Sequence, residues 1–355
     1  MANLPEAIES DFCKSLTGVT RILETPYYRV WGCAPIWGED GKVHVYYSRW
    51  IHKYHKPNGW LVSCEIAHAV GDSPEGPFTF VDVALEGRGG NHWDSWSIHN
   101  PSVYKIGDQF VLLYMGSDGS KLGIPRDQFE HQPQEIQDEM SKKLLHTKRV
   151  GMAVSKSANG PWTRISDAHP MLEAGAPGEW DDICTSNPAL VVTPENKFYL
   201  YYKGWQDGPV DNRKYGLAIA DNLEGPYVKY EGNPIIDFSY LAPRIQCEDA
   251  YMWIEDGVYK AIMRGMGVFG NAEDGVYVTS KDGIHWTTDH PEIAFRRSYV
   301  YFPEEAEPLF RPLKGRFERP QILFNPETGK PDYLYCSLRG GVYNSASGCV
   351  LKINQ

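Results

Sequence analysis

One segment pattern recurs five times along the chain, and a unit that is too small to bury its own apolar face leaves few folds open. The copies are CAPIWGEDGKVHVYYSRW (33–50), IHNPSVYKIGDQFVLLYMGSD (98–118), SNPALVVTPENKFYLYYKGWQD (186–207), CEDAYMWIEDGVYKAIMRGM (247–266) and FERPQILFNPETGKPDYLYCSLRG (317–340). Each opens on polar residues and usually a proline, runs on as apolar residues, turns at Gly or Asn, and returns as alternating aromatics. That is a strand, a tight turn and a second strand. A third strand follows each copy, at 60–70, 149–157, 215–221, 275–281 and 348–354. EGPFTFVD, NGPWTRIS and EGPYVKY, with DGIHWTTD as a looser fourth, add an outer strand.

This arithmetic predicts an all-β fold, a five-bladed β-propeller occupying residues 1–355 as one domain. The blades fall at about 30–82, 98–166, 186–230, 247–290 and 319–355. The last blade has three strands of its own, so a strand near 17–24 is expected to complete it and remove two open sheet edges. A short N-terminal helix is expected over 5–15. Blade two carries a helical insertion at 125–149, with Phe129, Ile136, Met140, Leu144 and Leu145 on one side. It covers a pocket, makes a dimer contact or is a solvated decoration. The loop at 49–60, rich in Trp, His, Tyr and Lys, either walls a pocket or is a surface hairpin. The link 289–317 reads as an ordered loop across one face.

Composition narrows the function. A net charge of −11 without basic clusters argues against nucleic acid and against anionic membranes. No run approaches the length of a membrane span. The seven cysteines show no CxxC spacing and read as reduced, buried thiols. The N-terminus lacks an apolar signal region, so a cytoplasmic location is expected, or a periplasmic one if a leader has been removed. A monomer and a homodimer are both compatible with the sequence.

In a propeller the first strand of every blade lines the central axis, so the residues that open these strands meet at one mouth. Aligned on the proline, the pairs before it are Cys33-Ala34, His99-Asn100, Ser186-Asn187, Glu248-Asp249 and Glu318-Arg319. Three carboxylates converging in a narrow funnel shift one another's pKa values apart, as acid–base work on a glycosidic bond requires. A second echo precedes blades two and three: HWDSWSIHNP and EWDDICTSNP place Asp94 and Asp181 at matching positions. Repetition favours a bracing role for both, whereas the surroundings of Asp94 (His92, Trp93, Trp96, His99) favour a functional one. His92 and His99 lack a metal-ligand spacing, so no cofactor is required, although an ion or water in the channel is compatible with the polar funnel.

At these residues the chain resembles the five-bladed enzymes of glycoside hydrolase families 43 and 117. The resemblance covers nearly the whole chain as a blade pattern and is specific at few positions. It implies an Asp base from an early blade, an Asp modulator from a middle blade and a Glu acid from a late one. Glu318 in Glu-Arg-Pro and Asp249 in Glu-Asp-Ala match the acid and the modulator. The families' base directly precedes the proline, where this chain has Ala34 or Asn100, so the base is expected at Asp94, six residues before Asn100. The implied reaction is exo-acting, inverting hydrolysis of short oligosaccharides that releases a 3,6-anhydro-galactose, arabinofuranose or xylose unit. Catalytic residues are then Asp94, Asp249 and Glu318, and substrate-binding residues are Trp93, His99, Asn100, Asn187, Glu248, Arg264 and Arg319. Trp96, Trp205 and Tyr251 are further stacking candidates. Two alternatives stay open: a phosphorylase similar to family 130, using Arg264, Arg319 and Arg339, and a propeller that binds carbohydrate without turnover.

Overall fold

The computed structural model describes residues 4–52, 59–208, 210, 212–303 and 315–354. Five four-stranded antiparallel sheets surround one shaft. Their inner strands are Tyr28–Trp37, Ser97–Ile106, Ser186–Val192, Gln246–Glu255 and Glu318–Phe324. The strand Leu16–Ile22 pairs antiparallel with Ser345–Ile353 and becomes the outer strand of blade five, so the first and last parts of the chain share one sheet.

The core is not central. It lies in five seams between neighbouring blades, such as Tyr46, Ile66, Ile98 and Leu112 between blades one and two, and Tyr335 and Val350 against Val30 and Val45 between five and one. Each fully buried Leu, Ile, Val or Phe there contributes about 1.5–3 kcal/mol by leaving water. The alternating aromatics of the second strands therefore face seams on both sides, and this is why the period-2 pattern is so strong. All seven cysteines are buried and free. Among the described residues no helix is long and apolar enough to cross a membrane.

Several local expectations need correction. The N-terminal helix is a single turn, Asp11–Lys14. The insertion is not one helix: a 3-10 turn, Arg126–His131, precedes the helix Gln134–His146. Pro133 separates them because its ring fixes its backbone and lacks an N–H donor. Phe129 and Leu144 are buried with Leu61, Val62 and Trp96, whereas Ile136 points outward and is exposed. The fourth strand of blade four is Glu292–Ile293, with Trp286 making only an isolated bridge to Ser280. Of the link 289–317, residues 304–314 lie outside the described residues, as do 53–58 of the loop 49–60.

Every inner strand carries a β-bulge at the same place. Pairing breaks between Trp31 and Ala34, His99 and Ser102, Ser186 and Ala189, Glu248 and Tyr251, and Glu318 and Gln321. The extra residue is left-handed in all five: Gly32 (φ 61°), Asn100 (53°), Asn187 (44°), Asp249 (62°) and Arg319 (54°). This overturns the alignment of blade one by two residues. The true pair is Trp31-Gly32, not Cys33-Ala34, because Cys33 stands where the other blades have proline or Ala250, and Pro35 lies further along the strand. The bulge turns four polar side chains toward the axis, and L residues accept the left-handed backbone only at a cost of roughly 1–2 kcal/mol.

A chain lacking residues 1–22 has an open edge along Ser345–Ile353 and loses the packing of Leu16 and Ile22. It is expected to lose its single cooperative unfolding transition and to self-associate, which thermal denaturation and size-exclusion chromatography will show.

Candidate active site

The five bulges build a closed polar ring. Asn100 Nδ2 donates to Asn187 Oδ1 (3.3 Å), Asn187 Nδ2 donates to Asp249 Oδ1, and Asp249 Oδ2 accepts the Arg319 backbone N–H (3.1 Å). Arg319 Nη2 returns to the Asn100 carbonyl (3.2 Å), and Nη1 lies 3.8 Å from Asp249 Oδ1. Gly32 completes the circle: a Cβ there would sit 3.7 Å from Arg319 Nε. The Arg319 side chain is 1% exposed and plugs the shaft. Beyond it, the ends of the inner strands form an apolar cavity that includes Ile36, Tyr104, Val191 and Tyr251.

Above the ring opens a cavity of about 260 Å³. Its floor holds Asn100, Asn187 and Asp249, and its sides hold Glu248, Glu318 and His99. Four indoles, Trp31, Trp50, Trp60 and Trp205, wall it. Trp50 and Trp60 bring the described ends of the 49–60 loop into the wall, and Leu145 and Lys148 bring in the blade-two insertion.

Oxygens of Glu248, Asp249 and Glu318 lie within 4.8 Å of one another. Three acids at that spacing suit a divalent ion only if they remain unneutralised, and here they do not. Glu248 is paired with Lys203 (2.9 Å), Arg213 (3.2 Å) and Arg264. Glu318 meets Arg264 (3.2 Å) and Arg316, and Asp249 has Arg319. The three acids thus already have cationic partners, which compete with any metal ion for their oxygens.

The two glutamates are pushed in opposite directions. Burial raises the Glu318 carboxyl above the usual range, opposed by Arg264 and Arg316 and aided by the charges of Asp249 and Glu248. Burial also works against the Glu248 charge, but Lys203, Arg264 and Arg213 outweigh it and hold Glu248 well below that range. The proton affinities of the two neighbouring carboxyls are thus driven apart, Glu318 upward and Glu248 downward. Burial, with Lys148, Arg319 and Lys203, lowers His99 well below an ordinary histidine, so the ring is neutral. Its Nε2 is buried without a hydrogen-bond partner.

Asp94 is elsewhere. It is fully buried between Arg88 Nε (2.6 Å) and Arg164 Nε (3.0 Å), accepts from Tyr114 Oη (3.1 Å) and does not line the cavity. Asp181 repeats this in blade three with Tyr202 (2.9 Å) and Lys229 (2.6 Å). Trp93 stacks on Tyr114, and Trp180 tilts over Tyr202. Both Trp-Asp pairs lie flat on glycines, Gly116 and Gly151 in one blade and Gly204 and Gly216 in the next, where a Cβ would strike Asp or Trp. The echo is a brace that ties the entry of each blade to its own second, third and outer strands. Asp94 as base and Trp93 as a sugar platform are thus corrected. Trp96 packs on Phe129 behind the wall, and Tyr251 faces Tyr104 at the far end of the shaft. Arg264 and Arg319 sit behind the acids rather than on the cavity surface. His99, Asn100, Asn187, Glu248, Asp249 and Glu318 do come together.

The sequence reading missed Arg29, Lys148, Lys203 and Arg213. Lys203 had a usable signal: it pairs across the bulge with Ser186, as Arg264 does with Glu248. Lys148 had none, because the insertion that delivers it has no counterpart in the other blades. Lys148 is 3% exposed, with its ammonium 5.1 Å from the Trp60 ring centre and 5.2 Å from that of Trp205. Burial pushes it down to about 8.

Two substitutions separate brace from pocket. Asp94→Ala strands two guanidinium groups and is expected to lower stability by about 3–5 kcal/mol in urea denaturation. Lys148→Met removes a cation that is buried without a carboxylate. It is expected to stabilise the ligand-free fold by roughly 1–2 kcal/mol at neutral pH, with the gain shrinking as pH rises through about 8, where the folded lysine already sheds its proton.

No protein-family profile matches the chain, and no curated protein matches it in sequence. Solved structures do. Zg3597, a family 117 glycoside hydrolase of the marine bacterium Zobellia galactanivorans, is 17% identical with a TM-score of 0.66, over 97% of this chain and 91% of that one. CoXyl43, a family 43 β-xylosidase/α-arabinofuranosidase from a compost metagenome, is also 17% identical, with a TM-score of 0.57 over 95% and 94%. A family 43 enzyme of Xanthomonas citri gives 14% and 0.56 over 95% and 91%. The chain has the five-bladed propeller fold of glycoside hydrolases of families 117 and 43.

Proposed function

We propose that the chain is an exo-acting glycoside hydrolase that cleaves a terminal sugar at the mouth of the shaft. The observation that carries this is the split carboxyl pair: Glu318 shifted up and Glu248 shifted down in proton affinity, with Asp249 beside them, in a cavity walled by indoles. Glu318 donates its proton to the leaving oxygen, and the Asp249 charge helps keep that proton in place. Asn100 and Asn187 hydrogen-bond the sugar. Because Arg319 blocks the shaft, the cavity is blind at its floor, so it takes a chain end and not a chain interior.

The attacking side departs from the sequence expectation. Inversion with a carboxylate base needs about 6.5–9.5 Å between the carboxyls, whereas the pocket's acids are crowded within 4.8 Å. The base place in blade two is Asn100, and Asp94 is locked in its brace. Among the described cavity residues, the proton acceptor that remains free is His99 Nε2. A second reading, phosphorolysis, is favoured by Asn100 standing where the base is expected, since phosphate needs no carboxylate base there.

Glu318→Gln is expected to reduce turnover of a cleavable oligosaccharide by about 100-fold or more. In the unaltered protein the rate falls as pH rises through the elevated Glu318 pKa, because the acid must be protonated; in the variant that alkaline limb disappears. Rates measured with and without inorganic phosphate assign the attacking group. Full turnover by Glu318→Gln would remove the residue from the reaction.

A further inference from the structure

We propose that the sugar held in this cavity carries an oxyanion, a carboxylate or sulfate on the ring, and that Lys148, Arg29 and Arg339 recognise it; this rests on the glycosidase reading. The argument is a charge count within one cavity. Among the described residues each pocket acid already faces a cation: Lys203, Arg213 and Arg264 face Glu248, Arg264 and Arg316 face Glu318, and Arg319 faces Asp249. Lys148, Arg29 and Arg339 line the same cavity, and among the described residues none of the three has an ion pair. A chain with net charge −11 has acidic residues to spare, yet among the described residues none pairs with these three.

Lys148 is the built part of the site. It is 3% exposed, has its ammonium over two indole faces and forms no ion pair among the described residues, the Glu248 charge offsetting its lost hydration only in part. A buried ammonium in that state is costly until an anion arrives. Arg29 is half-buried, with Nε buried and unpartnered. Burial and the facing Arg339 charge both disfavour its protonated form. Two guanidinium forks that repel one another across a concave wall are relieved by an oxyanion, which each can bind through paired N–H donors. The indoles between the two cationic sides supply faces for an apolar sugar ring. A neutral pentose would leave the buried Lys148 and the half-buried Arg29 without an anionic partner, whereas the exposed Arg339 stays hydrated.

Calorimetric titration of the full chain with D-galacturonate, D-glucuronate and galactose 6-sulfate, against D-galactose, D-glucose and inorganic phosphate, tests this. At least one acidic sugar is expected to bind about tenfold or more tighter than its neutral counterpart. That preference should vanish in Lys148→Met and in Arg29→Met/Arg339→Met, and persist in part in Lys148→Arg and Arg339→Lys, whose retained charge also guards against loss through misfolding. Glu318→Gln should keep the preference while losing turnover, so the binding claim and the catalytic claim fail separately. Equal binding of neutral and acidic sugars overturns the proposal, as does a preference that survives all the Met variants. So does phosphate saturating the site with no acidic sugar favoured, which would assign the cations to a free anion.

Discussion

Arg319 is the residue on which the site depends. Its backbone N–H bonds Asp249, its guanidinium reaches the Asn100 carbonyl, and its side chain fills the axis where five strands would otherwise leave a hole. The left-handed bulge in each blade makes this arrangement available. An inner strand with regular pleating would turn alternate side chains along the sheet face; one extra residue re-aims the side chain at the axis. Gly32 is the fifth member, and its missing side chain leaves space near both Asn100 and Arg319. Four side chains and one gap therefore surround the axis.

The same bulge explains how far the sequence could be read. Repeats, turns and seam-facing aromatics are local patterns with fixed periods, so the blade count and the convergence of Glu248, Asp249 and Glu318 were legible. The proline after the bulged residue worked as a ruler wherever it was present. In blade one it is absent, Pro35 lies two residues further on, and the alignment slipped to Cys33-Ala34. Asp94 was misjudged for a different reason. A Trp-Asp pair near a strand start looks alike whether it faces a cavity or two glycines, and the deciding partners, Arg88, Arg164 and Tyr114, come from three separate places in the chain. Its twin at Asp181 was the better guide: a residue that recurs with the blade serves the blade.

The cations show the converse. Arg29 opens blade one, Lys148 follows an insertion unique to blade two, and Arg339 ends the second strand of blade five. They share no motif and meet only because the ring closes. The insertion delivers Lys148 precisely because it is anchored: Phe129 and Leu144 pack on Leu61, Val62 and Trp96, so the helix end and the short turn carrying Trp60 form one wall.

That wall bears on the attacking group as well. His99 stands edge-on to Trp60, with ring centres 5.1 Å apart, and Lys148 lies over the same indole. After burial, the Lys148 charge is the first of the interactions that keep His99 from binding a proton. On the proposed reading, an oxyanion seated on Lys148 would offset that charge and raise the proton affinity of His99. On the same reading a sugar lacking the oxyanion would leave the proton affinity of His99 low. If His99 takes the proton from water, charge recognition and water activation become one event, and the pocket discriminates in its rate as well as in its affinity.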